Sequence, residues 1–289
     1  MNSPSPRKAV ADQGLSRRGL LLGGAALLMT GSACTTAPRA PEPGPPAEPP
    51  PSTPAPLTAP VVVERVSSAA RGTDVNLVLI TPEGVPAADL PVCLALHGRG
   101  ANARVFLDLG MPAALTAAVR SGMKPFAVAA VDGDHYWVRT TSDDDPQRML
   151  REEVPGWVTH RGLREPSAAF GISMGAFGAL RYARDHPNLK AVAACSAALF
   201  VSWPDAKSRK VFRDQEQWES EEPLRHTGEL RDRPIGLWCG NSDPFVAADR
   251  KFSQAAQPEI SAFSAGAHND AYWKRVLPDI VKFVGAKIT

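Results

Sequence analysis

Short apolar runs alternate, from position 91 onward, with segments long enough to form helices. Runs that are apolar throughout are typical of strands buried on both faces, and their alternation with helices is typical of a parallel sheet. Two earlier apolar runs have the pattern of an antiparallel opening pair. We therefore predict an α/β fold whose mostly parallel sheet has about eight strands, with helices on both faces. The runs lie at 61–66, 75–81, 91–96, 126–131, 167–170, 191–195, 235–239 and 259–263.

Helix signals fall between these runs. A proline at a first-turn position opens a helical segment at 112–121, and Asp145 before a proline predicts a capped helix start. We interpret the acidic run at 143–145 as that helix start rather than as a metal site. Two further helices are predicted, at 173–185 and 269–285.

The N-terminal segment has the composition of an export signal. Basic residues precede an apolar run at 19–33, whose 15 residues are fewer than the roughly 20 that span a membrane as a helix. The stretch SRRGLL at 16–21 resembles a twin-arginine signal, whose passengers cross the membrane already folded. The run ends in Gly-Ser-Ala-Cys, which is similar to a bacterial lipobox that would lipidate Cys34. Plain cleavage after a small-x-small site is the alternative.

Proline dominates the next segment. Between 38 and 60, 11 of 23 residues are proline, which prevents helix and ladder hydrogen bonds and favours an extended spacer. We therefore divide the chain into a signal at 1–34, a linker at 35–60 and a catalytic domain at 61–289. We expect an exported protein of the cell envelope, anchored in the membrane through a lipidated Cys34.

Charge and cysteine content narrow the function classes. The domain is formally neutral, because basic and acidic residues are equal in number after position 60. It has no basic patch that would indicate nucleic-acid binding. Its three cysteines, Cys93, Cys195 and Cys239, lie inside apolar runs and match no metal-ligand spacing. We therefore expect buried thiols.

The stretch FGISMGAFGAL at 170–180 carries a G-x-S-x-G motif centred on Ser173. The motif alone is a weak signal, since a serine in a glycine-softened loop gives the same letters. Its context is more specific, because a predicted strand precedes it and a predicted helix follows. That is the arrangement of a strained turn that exposes a nucleophilic serine. The backbone N–H of Met174 would then lie at a helix N-terminus, where it can bind a developing oxyanion.

A nucleophilic serine needs a histidine to accept its proton and an acid to orient that histidine. In hydrolases with this motif the order along the chain is serine, acid, histidine. His268 follows the last predicted strand and is the predicted base. Asp243, in the loop after the strand at 235–239, is the predicted acid, with Asp249 and Asp270 as competitors. A triad of this kind needs neither a cofactor nor a metal.

The loop HGRG at 97–100 follows the third predicted strand. Its glycines would let backbone N–H groups approach a substrate, so we predict the Arg99 N–H as the second oxyanion donor. His97 is then a structural residue of this loop rather than a second base.

Two segments are expected at the substrate rim. Ligands of open α/β sheets gather at the carboxyl ends of the strands, so we predict substrate contacts at His135, Tyr136 and Trp137, after the fourth strand. The insertion at 197–234 carries aromatic residues among many charges. It either caps an acyl pocket or forms a solvated helical face.

Further segments accompany the predicted triad in order and type. Together they resemble the esterase D-type branch of the α/β-hydrolases, which includes S-formylglutathione hydrolases and the secreted mycolyltransferases of actinobacteria. The resemblance covers about 75–284. It implies an α/β-hydrolase fold and serine chemistry on a small-molecule or lipid ester. The segments are EVPGW at 153–157, YARDHP at 182–187, LWCG at 237–240, and Tyr272 with Trp273 after His268.

Two departures from that family bear on the reaction. Mycolyltransferases typically take a glutamate as their acid, whereas Asp243 stands where esterase D-like enzymes carry theirs. The mycolyltransferase oxyanion loop usually reads Asp-Gly-Leu-Arg, whereas this loop reads HGRG. We therefore expect a serine carboxylesterase that cleaves its acyl-enzyme with water. The alternatives are an envelope acyltransferase that passes the acyl group to a sugar hydroxyl, and a catalytically silent cell-wall binding protein.

Overall fold

The computed structural model describes Leu57 and residues 59–288. The predicted signal, Cys34 and most of the predicted linker lie outside these residues. Within them the chain forms an eight-stranded sheet. Its strands are β1 (Val61–Ser68), β2 (Thr73–Ile80), β3 (Val92–Leu96), β4 (Ala127–Val131), β5 (Pro166–Ile172), β6 (Ala191–Cys195), β7 (Ile235–Gly240) and β8 (Ile260–Ser264).

The sheet is mixed at one edge and parallel elsewhere. The strand order is β1-β2-β4-β3-β5-β6-β7-β8. β1 and β2 pair antiparallel, as do β2 and β4, and every later pair is parallel. The predicted antiparallel opening pair and parallel remainder are therefore confirmed. Parallel pairing brings the carboxyl ends of β3 to β8 to one edge of the sheet, where their loops can form a site.

Helices cover the sheet between the strands. Those predicted after 112, 145, 173 and 269 are all present, and Asp145 caps its helix by accepting the Arg148 N–H at 2.9 Å. The helices are α1 (Val105–Asp108), α2 (Met111–Arg120), α3 (Pro146–Arg148), α4 (Val154–Thr159), α5 (Met174–Asp185), α6 (Trp203–Lys207), α7 (Gln215–Glu221), α8 (Thr227–Leu230), α9 (Val246–Ala256) and α10 (Asp270–Ile288), with a π-helical turn (Met149–Glu153) and a 3₁₀ turn (Pro223–Arg225).

The hydrophobic core has two parts, one on each face of the sheet. All five residues of β3 are buried. Leu94 and Leu96 face the part that includes α5, whereas Cys93 and Ala95 face the part that includes α2 and α10. Burial on both faces explains why the strands are apolar throughout rather than alternating.

The described residues show the state of the thiols and can be searched for metal-ligand clusters and membrane-spanning helices. Cys93, Cys195 and Cys239 are free and buried, which confirms the prediction of buried thiols. Across the part of the chain that the structure describes, no cluster of three His, Cys, Asp or Glu side chains is arranged to hold a metal ion. Within the same part, none of the helices is both long and apolar enough to cross a bilayer.

Candidate active site

Ser173 lies in a sharp turn between β5 and α5. Its φ of 57° and ψ of −118° form a strained conformation that costs about 1–3 kcal/mol. A Cβ on Gly171 would lie 2.0 Å from the carbonyl oxygen of Gly175, and a Cβ on Gly175 would lie 1.8 Å from that of Leu96. The glycines of the motif are therefore required because the turn packs against its own backbone and against β3.

The side chains of Ser173, His268 and Asp243 are joined by hydrogen bonds. His268 Nε2 lies 2.9 Å from Ser173 Oγ, and His268 Nδ1 lies 2.8 Å from Asp243 Oδ2. A neutral imidazole that donates from Nδ1 leaves Nε2 free to accept the serine proton. The three residues follow β5, β7 and β8, so the sheet brings together side chains up to 95 positions apart. The arrangement suits a serine beside a general base.

The carboxylate of Asp243 is enclosed, with no exposed side-chain surface. Its Oδ1 accepts the Phe245 N–H at 2.9 Å. Burial by itself would raise the pKa of Asp243. Hydrogen bonds from His268 and the Phe245 N–H, together with the polar side chain of Ser196, nevertheless hold the pKa below its ordinary value of 3.8. The carboxylate is therefore ionised at neutral pH and can stabilise a protonated His268.

Ser196, which sequence reasoning missed, supports this acid from the neighbouring strand. It follows β6 with a positive φ of 52° and is wholly buried. Its Oγ accepts the Trp273 Nε1–H at 3.1 Å. The Trp273 ring meets the His268 ring edge-on, with centroids 5.2 Å apart. Trp273 thus contacts His268 directly and binds Ser196, whose side chain helps to lower the pKa of Asp243. Its position in the sequence could have identified Ser196, since it comes directly after a strand at the edge that carries the other groups.

Neither competing acid bonds to His268. Asp249 is buried in α9, where its Oδ2 accepts the Ala197 N–H at 3.0 Å, and burial raises its pKa well above the usual range. A protonated carboxyl cannot serve as the anionic partner of a histidine. Asp270 is exposed in the first turn of α10.

His97 holds the loop after β3 in place. Its Nε2 accepts the Gly133 N–H at 2.9 Å, and its Nδ1 lies 2.8 Å from the Gly98 carbonyl oxygen. Burial lowers the pKa of His97, which keeps its ring neutral. These contacts are those of a structural residue, as the sequence predicted.

The two predicted oxyanion donors lie beside the serine. The N–H of Met174 opens α5, and the N–H of Arg99 lies in the loop after β3. Neither donates to an acceptor within residues 59–288. That loop packs on the serine, because a Cβ on Gly98 would lie 3.3 Å from Ser173 Cβ. Two backbone donors next to Ser173 are therefore unpaired, as the donors of an oxyanion hole are before a substrate binds.

The three residues predicted to contact the substrate differ in their burial. His135, Tyr136 and Trp137 form a left-handed turn after β4, with φ between 50° and 59°. Trp137 is fully buried, its Nε1–H donates to the His97 carbonyl oxygen at 3.3 Å, and its ring packs on Gly178. The predicted contact at Trp137 is therefore corrected, because the turn drives this ring into the core. His135 is half-buried and Tyr136 is 3 % exposed.

A small cavity of about 140 Å³ opens at Ser173. An engineered cavity of similar volume holds a molecule of benzene. The volume therefore fits an apolar group of a few carbon atoms. The cavity walls are mainly apolar and comprise Gly98, Arg99, Ala101, Val105, Leu109, Ile172, Ser173, His268 and Trp273.

The insertion at 197–234 packs onto the domain. Trp218 is 1 % exposed, so its ring is core rather than part of a solvated face. At the start of the insertion, the Phe200 ring lies 6.1 Å from that of Phe245, which in turn lies 5.3 Å from the His268 ring. The insertion thus borders the site through aromatic contacts.

Comparison with known proteins identifies the family. The sequence matches the family described as "Putative esterase" over residues 68–284. No curated protein sequence matches the chain at a significant level. The fold is similar to that of a ferulic acid esterase, with a TM-score of 0.66 and 19 % identity over 79 % of this chain and 98 % of that one.

Two further solved structures share this fold. One is an S-formylglutathione hydrolase from Agrobacterium tumefaciens, with a TM-score of 0.67 and 16 % identity over 78 % of this chain and 95 % of that one. The other is MPT51 of Mycobacterium tuberculosis, with a TM-score of 0.62 and 18 % identity over 80 % of this chain and 100 % of that one. At such low identities these structural likenesses show the fold alone, and the family match supports the ester chemistry. The chain therefore has the α/β-hydrolase fold predicted from its motifs and belongs to the "Putative esterase" family, as a serine ester hydrolase.

Proposed function

We propose that the chain is an exported serine carboxylesterase with a triad of Ser173, His268 and Asp243. The observation that carries the proposal is the continuous hydrogen-bonded series from Asp243 through His268 to Ser173. The unpaired N–H groups of Met174 and Arg99 beside the serine support it.

The chemistry proceeds through an acyl-enzyme. Ser173 Oγ attacks the ester carbonyl carbon while His268 Nε2 takes the hydroxyl proton. The carbonyl oxygen becomes an oxyanion, which the Met174 and Arg99 N–H groups bind. The tetrahedral intermediate collapses, the C–O bond breaks, and the alcohol leaves with the proton from His268. Water then gives a proton to His268 and attacks the acyl carbon, releasing the acid and restoring Ser173.

The cavity at Ser173 sets the size of the acyl group. Its volume of about 140 Å³ and its apolar walls favour chains of a few carbon atoms over long lipid chains. The rate of ester cleavage should therefore peak at short acyl chains and fall steeply beyond the length that fills the cavity. A series of 4-nitrophenyl esters from acetate to decanoate measures this directly.

Active-site labelling tests the triad. A fluorophosphonate should label the wild-type protein, and Ser173→Ala should abolish both labelling and ester cleavage, with kcat falling by on the order of 10⁶. Ser142→Ala is a matched control, because Ser142 is exposed and distant in sequence from the triad. Labelling that persists in Ser173→Ala would refute the assignment, and a wild type that is never labelled would favour a silent binding protein.

Transfer to a sugar hydroxyl is the second candidate, because the resemblance in sequence motifs extends to mycolyltransferases. The geometry favours hydrolysis, since the acid on His268 is Asp243. The buried glutamate Glu222 instead accepts the Phe200 N–H at 3.1 Å and the Trp218 Nε1–H at 3.1 Å. Incubation of enzyme and ester with and without trehalose separates the two reactions. A sugar ester that forms faster than free acid would overturn hydrolysis.

Export and lipid anchoring are proposed from the sequence. Basic residues, a twin-arginine-like stretch and a 15-residue apolar run precede Cys34. Mass spectrometry of the mature N-terminus should find a lipidated Cys34. A mature chain that begins at a different residue, without lipid, would refute the anchor and leave the esterase proposal unaffected.

A further inference from the structure

We infer that Arg99, Arg209 and the Tyr136 hydroxyl form an anion subsite at the mouth of the active site, which selects esters whose alcohol part carries a carboxylate or a similar anionic group. The inference rests on the proposed esterase function and names the substrate class of that site. The inference requires positively charged side chains beside the triad that no carboxylate of the protein pairs with. It also requires a separate apolar cavity for the acyl group.

Arg209 is held on aromatic rings next to the triad. Its guanidinium carbon lies 5.3 Å from the centroid of Phe245 and 5.6 Å from that of Phe200. Phe245 lies 5.3 Å from the His268 ring, so a single ring separates the guanidinium from the base. The Nε of Arg209 is buried and has no hydrogen-bond partner within residues 59–288. A buried charged donor without an acceptor is costly, so this nitrogen is available to an anionic ligand.

Tyr136 contacts Phe200, the ring on which the Arg209 guanidinium also lies. Its ring packs against Phe177, Phe200 and Phe212, with centroids 5.2 to 6.0 Å apart. The hydroxyl has no hydrogen-bond partner within the part of the chain that the structure describes. Burial raises the pKa of Tyr136, and the positive charges of Arg209 and Arg99 oppose that rise. A single ring, that of Phe200, thus separates Tyr136 from Arg209, and the hydroxyl remains free to donate to an anion.

The nearby carboxyl groups leave the two positive charges unneutralised. Asp205 borders the same cleft as Arg209 and accepts the Ser202 hydroxyl at 2.6 Å, but among the described residues it forms no ion pair with Arg209. Burial raises the pKa of Glu222 to about 8, so at neutral pH its carboxyl is mainly uncharged. Arg99 is exposed, and neither Arg99 nor Arg209 forms an ion pair among the described residues.

The shape of the site indicates that the anionic group belongs to the alcohol part of the ester. The small apolar cavity at Ser173 encloses a group that stays covalently bound while water enters, which is the acyl group. The alcohol must leave before water attacks, so it belongs at the open mouth of this cavity, where the exposed Arg99 forms part of the wall. A carboxylate on the alcohol would meet planar guanidinium donors and a hydroxyl, the groups that bind carboxylates best.

Two acetate esters of matched shape test the inference. 4-Acetoxybenzoate carries a carboxylate on its alcohol part, and 4-acetoxybenzamide carries a neutral amide in the same place. We expect the ratio of their kcat/KM values, anionic over neutral, to fall roughly tenfold in Arg209→Met and in Arg99→Met, because each loses a charge-assisted contact. Tyr136→Phe should lower the ratio less, about threefold. In the wild type, added salt should lower the ratio by screening the charges.

Arg213→Met is the matched control. Arg213 lies in the same insertion, is exposed, and pairs with Asp214, so its loss should leave the ratio unchanged. If Arg209→Met fails to fold, the exposed Arg99→Met and the salt dependence of the wild type still decide the question.

Each remaining outcome has a distinct meaning. A neutral ester that is cleaved well, with a ratio that neither substitution nor salt changes, would refute the anion subsite and leave the esterase function standing. Failure to cleave either ester would instead refute the proposed function. A preference that appears only when the carboxylate is on the acyl part, as in monomethyl glutarate against methyl butyrate, would refute the assignment to the alcohol.

Discussion

Replacement of Ser196 by alanine removes a hydroxyl that helps to hold down the pKa of the acid of the proposed triad, and it deprives the Trp273 Nε1–H of its acceptor at 3.1 Å. A hydrogen bond to a charged group contributes about 1.5–3 kcal/mol. Because the Asp243 side chain has no exposed surface, bulk water does not replace the lost donor. If the whole amount were lost in the transition state, kcat would fall about 10-fold to 150-fold.

The expected loss lies near the lower end of that range. Asp243 keeps two donors, the His268 Nδ1–H and the Phe245 N–H. Part of the Ser196 contribution also stabilises the carboxylate before the reaction begins, and that part does not affect the barrier. We therefore expect kcat to fall about tenfold with KM unchanged. Steady-state kinetics on 4-nitrophenyl butyrate measures both constants.

Acid stability gives a second readout of the same substitution. The pKa of Asp243 is depressed in the folded protein, so its ionisation stabilises the fold above its unfolded pKa near 3.8. That contribution disappears as the pH falls through the depressed folded pKa. Loss of the Ser196 donor brings the folded pKa closer to the unfolded value. The pH of acid unfolding should therefore move upward, and circular dichroism across an acid titration measures it.

Backbone strain is the competing explanation, and a second variant separates it. Ser196 has a φ of 52°, which glycine adopts without strain. Ser196→Gly thus relieves the backbone and still lacks the hydroxyl, so it should lose as much kcat as Ser196→Ala. Wild-type kcat in the glycine variant would refute the role of the hydroxyl.

Three further changes have defined outcomes. Trp273→Phe keeps a ring beside His268 but loses the indole N–H, so kcat should fall only about fivefold, and an unchanged kcat would contradict that contact. Gly175→Ala places a Cβ 1.8 Å from the Leu96 carbonyl oxygen and should cost at least about 3 kcal/mol, measured by urea unfolding; a wild-type midpoint would count against this packing. The folded pKa of Glu222 is raised to about 8, so wild-type stability should fall as pH rises from about 4.5 through 8, by up to about 1.4 kcal/mol per pH unit. Glu222→Gln should flatten that slope in thermal melts, whereas an equal slope in both proteins would disprove it.

The sheet and the arrangement of the proposed triad were predictable because each depends on a strong local signal. Strands buried on both faces must be apolar throughout, so their runs stood out against the helices. Ser173, Asp243 and His268 could be placed because each directly follows a strand, and parallel strands bring such positions to one edge. In these cases chain order and element type together imply proximity.

Contacts that depend on side-chain direction were not predictable. Trp137 follows a strand as the triad residues do, yet a left-handed turn sends its ring into the core, where Gly133 and Gly178 leave room for it. Arg209 lies in an insertion of mixed charges, and no periodicity there shows that its side chain turns toward Phe245. Local sequence indicates which element a residue joins, but the path of the backbone at its end decides what the side chain contacts.

Strained backbone is concentrated at the edge of the sheet that carries the site. Among the described residues, nine other than glycine have positive φ, and five of them are His135, Tyr136, Trp137, Ser173 and Ser196, which follow β4, β5 or β6. Each such residue costs about 1–3 kcal/mol, a large share of the 5–15 kcal/mol that typically stabilises a domain. A parallel sheet buried on both faces can hold these turns because the strands before them are fixed by packing. The sharp turns place Ser173 Oγ against His268 and Ser196 Oγ against the Trp273 Nε1–H, so the stability of the core is used to preorganise the edge that carries the site.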